Sequence, residues 1–341
     1  MKRPISLLLL FVFAVVQIYF GRSALTQRVQ GSTWMLVSPH AGGMVQRQGR
    51  YYLVTPTQSY RLDESDGRIA AEKSALNWID VPEPSGAGVW KLALGPSALP
   101  LVGIGGPVYP SPNGESVVWI DPTTRLAYLS INGASGLNRL SMKLGSVATA
   151  VWSPDSSKLA VAAAGPQGSG AYVWTQEGVL KTVALPSGSL AITALGFTGQ
   201  QSVLAALNNG QVLVQGRGIL PLPALSPLFL ANGHGDILGE TPLHAIFWSS
   251  GRTHVWDRPD LKWIGRAAFS PDGRRAAILS RTIGGQWKLL VYESDGVHTE
   301  ISLPYNDHTH YHLLGFWQTH WILVTVPEGP HAGTYGWHLN S

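Results

Sequence analysis

The chain has 341 residues, of which 45% are hydrophobic and only 13% charged, with 39 glycines and 23 prolines. It is too apolar for wholesale disorder and too poor in Glu, Lys and Arg for a helix-rich protein, so turn-rich β structure is expected. The formal net charge of +4 is dispersed without a concentrated Lys/Arg stripe, which argues against nucleic acid as a partner, and the lack of cysteine excludes disulfides, thiolate metal centres, iron–sulfur clusters and a Cys nucleophile.

Lys2 and Arg3 precede an apolar stretch at residues 5–20 that is interrupted only by Ser6 and Gln17. A basic start followed by such a run has the form of a secretory signal. As a helix it would span ~24 Å, a little short of the ~30 Å hydrocarbon core. Gly21-Arg22-Ser23 makes a poor cleavage site, so an uncleaved anchor is favoured over a released signal peptide. Positive residues at the extreme N-terminus favour keeping that end in the cytoplasm. Residues 1–30 are therefore expected to be one hydrophobic helix with a short linker. Residues 31–341 are expected to form a single domain on the outer face of the cytoplasmic membrane, with secretion as the alternative.

An internal repeat occupies most of the remaining chain. Its clearest copy is Phe269-Ser270-Pro271-Asp272-Gly273-Arg274-Arg275-Ala276-Ala277-Ile278-Leu279, matched by Trp152-Ser153-Pro154-Asp155-Ser156-Ser157-Lys158-Leu159-Ala160-Val161 and by Pro110-Ser111-Pro112-Asn113-Gly114 leading to Val117-Val118. Phe229 with Asn232-Gly233 is a looser copy, and Phe197 and Phe316 mark degenerate ones, so the anchors fall near 110, 152, 197, 229, 269 and 316. Val37-Ser38-Pro39-His40 reads as an eroded copy. In each unit an apolar strand ends on an aromatic residue and Ser-Pro-Asp-Gly makes a tight turn. Pro presets φ, Asp bonds its own backbone, and Gly tolerates positive φ. A second apolar strand follows, then a third bearing Trp or Tyr (residues 287–292 or 171–174), then a more polar fourth. Four short strands about every forty residues are the pattern of a β-propeller blade.

The Ser-Pro-Asp-Gly turn followed by an apolar strand resembles the WD40-like repeats of the TolB type found in bacterial envelope propellers. The resemblance covers residues 110–325 and extends to 32–109 by extrapolation. It implies an all-β propeller and a place at the cell envelope. Seven four-stranded blades are expected, with six or eight as alternatives. The last unit stops one strand short, and residues 34–38 or 51–55 could supply the missing strand and remove an open edge.

His308, His310 and His312 alternate in Asp307-His308-Thr309-His310-Tyr311-His312, so in an extended segment their imidazoles share one face and could hold a divalent metal ion. The competing reading is a polar loop with solvated histidines and no cofactor. His320, His331 and His338 are further candidates nearby. The Trp residues recurring with the blade period are better explained as inter-blade filling than as a carbohydrate platform. Gly103-Ile104-Gly105-Gly106 lacks the following helix of a dinucleotide loop and reads as a turn. Acids such as Asp63, Glu64, Asp66, Asp257 and Asp260 lie in turn-like contexts and read as surface groups. No Gly-x-Ser-x-Gly elbow is present. The expected function is a non-catalytic extracytoplasmic propeller that binds an envelope protein or peptide. The alternative is an enzyme with a metal or polar site at the channel mouth, acting on sugar or lactone-type substrates.

Overall fold

The computed structural model describes residues 34–39, 41–47, 50–54, 59–65, 68–74, 81–82, 89–90, 108–113, 116–121, 123–130, 138–139, 146–165, 168–175, 180–183, 191–257, 260–305 and 309–339. The apolar segment at 5–20, the glycine cluster at 103–106 and His308 lie outside these residues. Among the described residues, no helix is long and apolar enough to cross a membrane.

All regular structure among them is β. Seven four-stranded antiparallel sheets are present, together with one two-stranded ribbon that pairs Val81–Pro82 with Val89–Trp90. Six of the seven run in chain order over residues 43–74, 108–139, 147–183, 192–219, 228–257 and 262–302. In the seventh, His312–Trp317, Trp321–Val326 and Gly333–His338 pair in order, and Met35–Ser38 then adds as the outermost strand, with Met35 opposite Gly336. The first and last parts of the chain are thus joined in one sheet, and the last sheet gains the strand it lacks. Of the two segments the sequence offered for this role, 34–38 supplies it and Arg50–Val54 belongs to the 43–74 sheet. Val37-Ser38-Pro39 is accordingly not a repeat copy. Its strand occupies the fourth position of a sheet rather than the first, and among the described residues it pairs with Gly333–His338 and with no following hairpin strand.

The aromatic anchors all end first strands. Tyr109, Trp152, Phe197, Phe229, Phe269 and Phe316 lie at or next to the ends of Val108–Pro110, Val147–Trp152, Ile192–Phe197, Leu228–Leu230, Lys262–Phe269 and His312–Trp317. Sheets that follow one another in the fold bury both faces, so their inner strands read as unbroken apolar runs. Trp321–Val326 and Val203–Leu207 are buried at every position.

Six apolar joints hold the sheets in sequence. Val118 and Ile120 meet Trp152 and Leu159, Ala160 and Val173 meet Phe197, and Leu204 and Val212 meet Ile237 and Ile246. Phe247 packs on Ile278 and Tyr292, Leu289 and Val291 on Phe316 and Ile322, and Trp317 and Leu323 on Leu53 and Leu62. The tryptophans fill these joints as expected, and some also cross them: the Trp152 indole N–H donates to the Tyr109 carbonyl at 2.9 Å, and the Trp256 indole to the Gly296 carbonyl at 3.0 Å.

Candidate functional site

In three of the seven sheets the first strand runs into a hairpin whose geometry is set by the Ser-Pro-Asp pattern or its Asn variant. Ser153 Oγ donates to Asp155 Oδ1 at 2.6 Å and accepts from Lys158 N at 2.9 Å. Ser270 does the same with Asp272 and Arg275 N at 2.6 and 2.9 Å, and Ser111 with Asn113 and Ser116 N at 2.7 and 2.9 Å. The residue after the acid takes positive φ, +64° at Ser156 and +69° at Gly273, which is why the pattern favours glycine there. The hydroxyl, the acid and the left-handed residue together fold the turn without help from the rest of the molecule.

Once folded, the hairpins bind one another. Ser156 Oγ accepts from Asn113 N at 3.0 Å, the Gln201 side-chain amide donates to Asp155, Asn232 Oδ1 accepts from Phe197 N at 3.2 Å, and His234 Nε2 bonds the Pro271 carbonyl. Arg275 donates to the Thr319 carbonyl at 3.0 Å, and His320 Nε2 lies 3.1 Å from Glu64 Oε2. These six contacts link all seven four-stranded sheets at one end of the molecule into a belt of turns.

The belt surrounds one mouth of a cavity of about 1310 Å³. Residues 43–44, 264–269 and 312–316 from first strands, 310–311 just before one, and 154–155, 198–199, 201 and 231–234 from first hairpins form its wall, so six sheets converge on one axis. First strands here are bent by β-bulges, between Val147 and Thr149, Ile192 and Ala194, Ile264 and Ala268, and Leu313 and Gly315. A bulge re-aims a side chain. In Lys262–Phe269 it contains Gly265, at φ +82°, and exposes Arg266 on the cavity wall.

Asp155 and Arg266 are the two formally charged residues on that wall among the described residues. Burial works against the Asp155 carboxylate, but hydrogen bonds from Ser153, Ser157 and Gln201 outweigh it and hold the acid below its ordinary range. Arg266 makes no ion pair or hydrogen bond among the described residues. His310 and His312 line the same cavity, with His310 exposed and His312 half-buried. Burial, and secondarily the nearby His310, lower the pKa of His312. His331 is elsewhere, stacked flat on Tyr305 at 3.7 Å between ring centroids. His320 and His338 come together with Glu64 at the rim of the belt. In its sequence context Glu64 reads as a surface acid. Nothing within its own hairpin marks it otherwise, because its partners lie some 256 residues away.

Virginiamycin B lyase from Staphylococcus aureus, in a catalytically inactive form with quinupristin, superposes with a TM-score of 0.52 at 10% identity, covering 91% of this chain and 99% of that one. The propeller domain of Myceliophteria thermophila Cps50 (Swd1) does so with a TM-score of 0.51 at 15% identity, covering 88% and 97%. The chain has the β-propeller fold. No protein-family model and no curated protein sequence matches it. The two neighbours, a lyase and a Swd1 domain, carry different functions on one propeller architecture, so the function of this propeller has to be argued from its own site.

Proposed function

We propose that this chain is a seven-bladed propeller of the TolB-like kind that binds an acidic segment of an envelope protein or peptide over the mouth ringed by the turn belt. The seven four-stranded sheets are its blades, and the ribbon at residues 81–90 is an elaboration between the first two. Residues 5–20 anchor it, with the propeller on the outer face of the membrane.

The observation that carries the reading is Arg266, a guanidinium placed by a bulge at the cavity wall with no partner among the described residues. An arginine fork held this way matches a carboxylate in two hydrogen bonds. Around it the belt presents amide and imidazole groups, Gln201, Asn232 and His234, fixed by bonds between sheets rather than free to move. Preorganised polar groups around one charged anchor favour recognition of an extended partner.

The test is a photo-crosslinking amino acid at position 201 in the native host, with position 255 on an outer strand as control. A discrete adduct at 201, absent at 255 and abolished by Arg266→Glu with an unchanged unfolding midpoint, supports the reading. Equal labelling at both positions overturns it.

A second reading rests on His310 and His312, which share the cavity wall, with His312 biased towards the neutral form that metal ligation requires. It is a propeller enzyme using a divalent ion at the channel mouth, and turnover of a lactone or glycoside lost in His312→Ala would favour it over the binding module.

A further inference from the structure

The seam where the ring closes carries a second cluster of ligating groups, independent of the channel. Glu64 is near the end of the third strand of the 43–74 sheet, Ser59–Ser65. His320 is in the hairpin between the first two strands of the neighbouring sheet, and His338 ends that sheet's third strand, Gly333–His338. Pairing of Trp321–Val326 with Gly333–His338 brings the two histidines together, but nothing local brings Glu64 to them. They meet because Met35–Ser38 completes the last sheet and the 43–74 sheet then packs against it through Leu53, Leu62, Trp317 and Leu323.

We propose that Glu64, His320 and His338 bind one divalent transition-metal ion of the zinc class, which pins the N-terminal sheet to the C-terminal one. One ligand atom from each residue lies within 4.8 Å of the other two. His320 Nε2 is 3.1 and 3.4 Å from the two Glu64 carboxylate oxygens. Ligands about 2.0–2.1 Å from a tetrahedral ion are roughly 3.4 Å from one another, so this spacing is already that of a coordination edge. The rings of His320 and His338 are 5.1 Å apart between centroids and tilted by 65°. Small side-chain rotations bring the third ligand in.

Surrounding groups hold the donors in place. The Trp321 indole N–H donates to Glu64 Oε1 at 3.3 Å, which orients the carboxylate with Oε2 towards His320. Leu339 N donates to the His320 carbonyl at 2.7 Å, and Trp321 pairs in register with His338, so the two histidine-bearing segments are tied through their backbones. The Trp321 ring packs edge-on against the imidazole of His338 at 4.8 Å. A salt bridge to Glu64 would need only one histidine. Two imidazoles with one carboxylate form the donor set of zinc and its neighbours, whereas calcium and magnesium favour all-oxygen shells. With three protein ligands, a fourth position stays open to water or to a ligand. An ion bridging residues so far apart in sequence stabilises the closed ring, because no such site exists in the unfolded chain.

The experiment uses the full chain, purified in mild detergent, stripped with a chelator, and titrated with zinc or cobalt(II). One equivalent should bind, cobalt should give the visible absorption of a four-coordinate ion, and zinc should raise the unfolding midpoint by a few degrees. Glu64→Gln and His338→Gln, both close in shape to the originals, should abolish the bound equivalent and the midpoint shift while keeping the metal-free midpoint. Trp321→Phe should weaken binding about tenfold, as the loss of an outer hydrogen bond does. His331→Ala, at a histidine outside both clusters, should leave all of this unchanged. The proposal is overturned if the wild-type chain binds no stoichiometric ion, or if His338→Gln and Glu64→Gln keep it.

Discussion

The hairpin at residues 153–158 and the one at residues 231–236 occupy equivalent places in two sheets and are closed by the same backbone bond, Ser153 N to the Lys158 carbonyl and Ala231 N to the Asp236 carbonyl, each 2.8 Å. Their aspartates are shifted in opposite directions from the ordinary carboxylate range. Asp155, exposed on the belt, collects donors from its own turn and from Gln201, and its carboxyl is held below the ordinary range. In the other turn Ala231 replaces the serine, and the acid has moved to the end of the hairpin. Asp236 is 1% exposed, with both carboxylate oxygens lacking a hydrogen bond among the described residues. Burial pushes its pKa up to about 6, and the Ser249 hydroxyl donates to the Gly273 carbonyl at 3.1 Å rather than to the acid. One backbone solution therefore serves two purposes. In one hairpin the acid builds the turn, and in the other it is a buried cost between two sheets.

The largest expected effect comes from crowding the buried acid. At Gly273, φ is +69° and an added Cβ would lie 2.5 Å from Asp236 Oδ2 and 2.8 Å from the His234 ring. Gly273→Ala should destabilise the fold by about 3 kcal/mol in urea unfolding, through left-handed strain and overpacking together.

Removing the buried charge should act in the other direction. Because the folded-state pKa of Asp236 is raised from 3.8 to about 6, the folded chain keeps the proton that the unfolded chain releases between about pH 4 and pH 6. That costs stability progressively as pH rises through this window, on the order of 2–3 kcal/mol once it is crossed. Asp236→Asn should be more stable than the wild type by about 1–2 kcal/mol at pH 8, since the buried amide retains its own desolvation cost. The advantage should vanish at pH 4, and paired denaturation curves at the two pH values check it. A pH-independent difference would mean that Asp236 is not the buried ionisable group described above.

The exposed turn should respond least. Ser153→Ala removes the hydroxyl that serves both Asp155 and Lys158 N, and should cost about 1 kcal/mol with the cavity mouth unchanged. An effect as large as that of Gly273→Ala would show that the belt bears on stability far more than its local bonds imply.

The same contrast explains what could be read in advance. The hairpins at 111–116, 153–158 and 270–275 are legible because every bond that shapes them spans five residues or fewer. The apolar strands on either side follow from burial of both faces. The choice of 34–38 over 51–55 as the closing strand was not legible, since both are short apolar runs ending in a hydroxyl residue and only the edge left open by Gly333–His338 selects between them. Glu64 looked like any turn acid, although Asp63 beside it does pair locally, with Arg61 at 2.5 Å.

The amino-acid sequence alone determined a β chain built from a repeating strand-and-turn unit, because tight turns and the short apolar runs between them are set by neighbours a few residues apart. The tertiary structure decided which strand closes the ring, how deep Asp236 is buried, where Arg266 emerges and that Glu64 meets two histidines. Each of those depends on sheets packed against one another across long stretches of chain, and periodicity carries no information about contacts made once, at a single seam.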